Sequence, residues 1–171
     1  TLRESPKDAV TVVAAGITVY EALEAHKTLQ HEGMAIRVID TYSVQPIDRD
    51  TLVAAGRATA GRVITVEDHY GHGGLGDAVS EAVWDQGFRV KRLAVREIPR
   101  SGPPKELLDR YGISARAIVD AVDDAVVADP DSKAWPALKP TRTWRSRIVG
   151  EQGDGALDST TILGIERAQG A

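Results

Sequence analysis

The side chains best equipped for chemistry are concentrated in one run, Glu67-Asp68-His69-Tyr70-Gly71-His72-Gly73-Gly74-Leu75-Gly76-Asp77. Carboxylates beside imidazoles are what a metal centre or an acid–base pair requires. Here Glu67, Asp68, His69 and His72 would supply them. A zinc site usually takes a third strong protein ligand, and the other histidines, His26 and His31, fall on a separate predicted helix. The glycines offer a second chemistry. Gly73, Gly74 and Gly76 could bring backbone N–H groups up to an anion where a helix begins. Gly71, Gly73 and Gly76 also satisfy the G-x-G-x-x-G spacing of dinucleotide sites, which is weak evidence by itself. The carboxylate that would hold a ribose about 20 residues on is missing from the end of the next strand. Asp85 falls inside the following helix and Glu97 beyond the strand. Two plainer readings stand beside these. The glycines would permit a tight turn and close packing, and the imidazoles would line a polar surface that meets a partner.

A second group, Arg100 and Ser101, sits in the loop Ile98-Pro99-Arg100-Ser101-Gly102-Pro103-Pro104. A guanidinium, a hydroxyl and a helix start could grip a phosphate or a carboxylate. A rigid connection set by the prolines is the favoured alternative. In the tail, Lys139, Arg142, Arg145 and Arg147 surround Trp144. Basic residues around an aromatic suit single-stranded nucleic acid, but a solvated or partner-docking tail is the commoner use.

The elements that must position these groups alternate. Val10-Thr11-Val12-Val13-Ala14-Ala15 is a β-branched apolar run before Gly16, as in a strand buried on both faces. The period then becomes helical over residues 18–32, with Val19, Leu23, His26 and Leu29 on one stripe and Gly33 as the stop. Ile36 to Asp40 reads as a second strand, and Asp48 or Asp50 can cap the helix that follows. Residues 62–67 form a third strand, residues 71–76 a glycine-rich turn, and Ala78, Val79, Ala82 and Val83 one face of a helix. A fourth strand covers residues 90–95. Pro104 suits the first turn of a short helix ended by Gly112, and Ser114 caps a last helix carrying Ile118, Ala121, Val122 and Ala125.

This alternation predicts a three-layer α/β/α domain over residues 1–128, with a mostly parallel sheet of about five strands. The run at residues 67–76 then lies at the carboxyl end of a strand, where open α/β sheets bind ligands. Residues 129–171 lose all periodicity and gain Pro130, Pro136 and Pro140, so an irregular or partner-wrapping tail is expected there.

Composition excludes several classes. The chain has 171 residues and no cysteine, which removes disulfides, thiolate metal sites and cysteine nucleophiles. Its net charge of −4 makes no case for nucleic acid or an anionic membrane. No apolar run approaches the ~18 residues of a membrane span, and a charged N-terminus gives a cytoplasmic expectation. A start at Thr1 rather than Met suggests a processed or excised piece.

Several stretches, in order, resemble transketolases. They are residues 16–23 (Gly-Ile-Thr-Val-Tyr-Glu-Ala-Leu), Ile36-Arg37-Val38-Ile39-Asp40 with Gln45-Pro46-Ile47-Asp48, and residues 61–70 with Gly73-Gly74-Leu75-Gly76. Pro99-Arg100-Ser101-Gly102, Glu106-Leu107-Leu108 and Tyr111-Gly112-Ile113 complete the likeness, which covers residues 8–127 and the third, C-terminal domain only. Among related third domains, those of pyruvate dehydrogenase β-subunits and deoxyxylulose-phosphate synthase, the Glu67-Asp68-His69-Tyr70 run favours transketolase. The resemblance implies a thiamine diphosphate enzyme of the pentose phosphate pathway that moves two-carbon ketol units between sugar phosphates as a homodimer. It implies that one strand of the sheet is antiparallel. It also implies that thiamine diphosphate and Mg²⁺ belong to the other domains. No catalytic, cofactor-binding or metal residue of the family maps onto this chain, so the chain alone is expected to be inactive. Its partners would be the other transketolase domains and a second subunit. The roles implied are dimer assembly and the binding of a regulatory ligand. The alternatives are a stand-alone module that binds a small anion and the equivalent domain of a pyruvate dehydrogenase β-subunit or deoxyxylulose-phosphate synthase. Gly153-Asp154-Gly155 opens like the family's diphosphate motif, but that motif ends in Asn-Asn and the chain contains no Asn.

Overall fold

A computed structural model describes residues 1–127 of the chain. The element order is β1 (Asp8–Ala14), α1 (Thr18–His31), β2 (Ala35–Asp40), α2 (Arg49–Ala58), β3 (Arg62–Tyr70), α3 (Leu75–Val83), β4 (Arg89–Val95), α4 (Pro104–Arg110) and α5 (Ala115–Val127). A single 3₁₀ turn, Trp84–Gln86, follows α3. The strands form one parallel sheet in the order β2-β1-β3-β4.

Side chains alternate across the sheet with period two, and each face has its own apolar cluster. Val12, Val38 and Ile64 pack with Ala22, Leu29, Ile118 and Val122 of α1 and α5. Val13, Ile39 and Val63 pack with Leu52, Leu75 and Val79 of α2 and α3. Helices therefore cover both faces, giving the three layers expected.

The described sheet has four strands rather than about five. The antiparallel strand implied by the resemblance is reduced to one bridge, Arg3 to Val38, on the outer edge of β2. Leu2 N–H donates to Val38 O at 2.8 Å, and Val38 N–H donates to Arg3 O at 3.0 Å. The ladder stops there because the next residues are committed elsewhere. Both Ser5 N–H and Ser5 Oγ donate to the Asp8 carboxylate at 2.8 Å, and Pro6 has no N–H to offer. At the other edge, β4 carries Arg89, Lys91 and Arg92, charges that discourage edge-to-edge pairing.

Helix ends follow local chemistry. Asp48, not Asp50, caps α2, accepting from Thr51 N–H at 3.0 Å and Thr51 Oγ1 at 2.7 Å. The start of α5 is held by Ser114 and also from outside, since Ala115 N–H donates to the Glu21 carboxylate of α1 at 2.7 Å. The predicted tail lies outside the described residues, as do Gly153-Asp154-Gly155 and the basic cluster around Trp144.

Candidate functional site

Because β2 lies on one side of β1 and β3 on the other, the chain reverses its winding between β1 and β3. In open α/β sheets the carboxyl ends at such a switch are where ligands sit. Two connections meet there. Thr18 Oγ1, at the start of α1, donates to Val66 O at 2.8 Å. The glycine-rich turn leads from β3 into α3.

β3 runs three residues further than the predicted strand, to Tyr70, because Tyr70 re-forms a pair with Val95. The register slips before that. Val66 pairs with Leu93 and Tyr70 with Val95, so Glu67, Asp68 and His69 stand against Ala94 alone. Such a bulge re-aims side chains next to functional sites. Asp68, His69 and Tyr70 are exposed, Tyr70 by 51%. Glu67 turns inward, and its side chain is 1% exposed.

The Glu67 carboxylate is surrounded. Gly76 N–H makes a long, shared contact to both of its oxygens at 3.3 Å. His69 Nε2 stands 3.4 Å from Oε2, and Arg92 Nη2 stands 4.0 Å from Oε1. His69 Nδ1 lies 2.9 Å from Tyr70 O. Arg92 Nη1 donates to Asp77 Oδ1 at 2.7 Å and Nη2 to Gly71 O. Asp77 Oδ2 also accepts from Gly73 N–H. That amide, with the Arg92 charge behind it, holds the Asp77 carboxyl below the usual carboxylate range.

Two of the glycines leave the space that these side chains fill. A Cβ on Gly74 would come 2.1 Å from His69 Cε1 and 2.3 Å from Glu67 Oε2. One on Gly76 would come 2.2 Å from Arg92 Nε and 2.9 Å from Glu67 Oε1. Gly73 is needed for its backbone instead, with φ at +73°.

The ten residues marked by sequence thus divide. Glu67, Gly74 and Gly76 are internal, whereas Asp68, His69, Tyr70, His72 and Gly73 form the surface. Arg100 and Ser101 are exposed on the loop after β4. The Arg100 N–H donates to the Tyr111 hydroxyl, tying that loop to the end of α4. Sequence reasoning passed over Arg92 and gave Asp77 no role of its own, since their pairing depends on β4 lying beside β3. An acid in the first turn of α3 was the one available hint.

Two of the amides that an anion would use in this turn are engaged within the chain. Gly73 and Gly76 have spent their N–H groups on Asp77 and Glu67, so a phosphate would meet carboxylates there. The same observation means that these residues do not fit a magnesium diphosphate. Among the described residues, no group of three or more His, Cys, Asp or Glu could hold a metal ion.

The fold and this turn define an open parallel α/β domain with its winding reversed between β1 and β3. The family model for the transketolase C-terminal domain matches residues 1–118, so the chain belongs to that family. Mouse transketolase-like protein 2 is 50% identical over 127 residues, covering 74% of this chain and 20% of its own length. Human transketolase is 49% identical over 120 residues, covering 70% of this chain and 19% of its own. The chain therefore spans about one-fifth of the curated relatives it matches. Among solved structures, a split-gene transketolase described as an inactive β4 tetramer has a TM-score of 0.65 and 45% identity. That likeness covers 70% of this chain and 39% of the other.

Proposed function

We propose that the chain serves a transketolase as its C-terminal assembly domain, while other domains hold thiamine diphosphate and Mg²⁺ and transfer two-carbon ketol units between sugar phosphates. The observation that carries this reading is the division of the turn. The buried Glu67 carboxylate and the Gly73 and Gly76 amides are engaged within the chain, while Asp68, His69, Tyr70 and His72 are displayed outward. Nothing in that display pairs a nucleophile with a base and an orienting group. Charged and aromatic side chains at a rigid strand end suit a polar protein–protein contact. The split-gene relative, an assembled but inactive tetramer, is consistent with association separable from turnover.

The test uses the full-length enzyme that contains this domain. Tyr70→Ala combined with His69→Ala is expected to weaken the dimer at least tenfold, roughly 1.4 kcal/mol, as measured by sedimentation velocity. Turnover at high protein concentration should fall far less. A dimer that stays intact while turnover drops by orders of magnitude would make the surface catalytic and overturn the reading.

A further inference from the structure

We propose that Glu67 is the positioning residue of this surface, its buried carboxylate anchoring the glycine-rich turn to the end of β3 and so fixing how Asp68, His69 and Tyr70 are displayed. The proposal rests on the assembly reading.

The backbone explains the need for an anchor. Regular pairing of β3 with β4 lapses between Val66 and Tyr70, so the ladder does not hold Asp68 and His69, which lie between the two pairs. Side-chain contacts take its place, and they converge on Glu67. The amide of Gly76 reaches it from α3, the ring of His69 from the bulge, and the guanidinium of Arg92 from β4. Each comes from a different element, so one carboxylate ties α3, β3 and β4 together.

The chemistry excludes simple filling. β3 supplies Val63, Ile64 and Val66 to the cores, and an apolar residue at 67 would bury without penalty. A buried carboxylate is costly unless charges and donors compensate it. Both are present, together with two glycines whose missing Cβ atoms make room for it. Glu67, His69, Gly74, Gly76 and Arg92 form one interlocked unit, and His69 belongs both to that unit and to the outer surface. Movement of Glu67 therefore reaches the display through His69 directly.

Glu67→Gln keeps the shape and one acceptor for Gly76 while removing the charge. In the chain as it stands, amide exchange followed by mass spectrometry is expected to accelerate at least tenfold over residues 71–77. Peptides from β1 and α1 should remain within twofold of the unsubstituted chain. In the full-length enzyme the same substitution should raise the dimer dissociation constant at least tenfold. Equal acceleration in the core overturns the proposal, because Glu67 would then be an ordinary stability residue. A loosened turn with an unchanged dimer also overturns it, as does a turn unchanged within twofold. Should Glu67→Gln fail to fold, Arg92→Gln removes the facing cation from a more exposed position and is expected to loosen the same residues. No loosening there overturns the proposal. The Tyr70→Ala, His69→Ala pair leaves Glu67 in place, so its failure to weaken the dimer counts against the assembly reading instead.

Discussion

Gly73 and Gly74 are neighbours with different reasons for being glycine. Gly73 has a left-handed backbone with nothing within 4 Å of an added Cβ. Gly73→Ala should therefore cost about 1 kcal/mol of backbone strain. At Gly74 the added atom would strike the His69 ring and the Glu67 carboxylate, and overpacking of that kind costs about 1–3 kcal/mol. Gly76→Ala belongs with Gly74→Ala, since its Cβ would push on Arg92 and Glu67 together. Urea denaturation of the three variants is expected to rank Gly74 and Gly76 as more costly than Gly73. A Gly74→Ala variant as stable as Gly73→Ala would mean the Glu67 seat is not tightly packed. The sequence marked these glycines and left two uses open, an anion outside or close packing inside. Their inward purpose depends on Arg92, which only strand order brings alongside.

Elements were more legible than contacts. Runs such as Val10-Thr11-Val12-Val13 and the stripe through Leu29 declare strand and helix locally, because period and β-branching act within a few residues. The extension of β3 to Tyr70 was hidden, since the pairing of Tyr70 with Val95 lies across the sheet. The fifth strand fell short for a local reason, the diversion of Ser5 to Asp8. The cap of α2 was visible as Asp48 or Asp50, and only geometry chooses Asp48. Its side-chain bond from Thr51, reinforced by the Thr51 amide, lowers the Asp48 pKa. A carboxyl depressed by folding stabilises the native state above its unfolded pKa, and that contribution disappears as pH falls through the folded value. Asp48→Ala is accordingly expected to lower the melting temperature at neutral pH. The gap to the unsubstituted chain should close as pH falls below the carboxylate range. A gap that widens on acidification would show that Asp48 does not act as a charged cap.

At the scale of the whole molecule, the chain spans about a fifth of the relatives it matches, and two amides of its most chemical turn are already engaged by carboxylates. A diphosphate needs several backbone amides or a metal ion held by carboxylates. Gly73 and Gly76 have given their amides to Asp77 and Glu67. Asp77 and Glu67 in turn face Arg92, whose positive charge competes with any metal for them. The overall charge of −4 adds no attraction for a polyanion. The chain alone is thus expected to show no transketolase activity and no saturable heat when titrated with thiamine diphosphate and Mg²⁺. Isothermal calorimetry decides this directly. A dissociation constant below about 100 μM, worth roughly 5.5 kcal/mol, would require several well-placed donors on this chain. In that case the turn would have to open, with Glu67 leaving its seat, and the division into an inner anchor and an outer docking surface would be wrong. Repeating the titration with Glu67→Gln separates the two outcomes. If the turn binds the diphosphate, removing the competing carboxylate charge should tighten binding. If the turn is an anchor, the substitution should leave the chain as unresponsive as before.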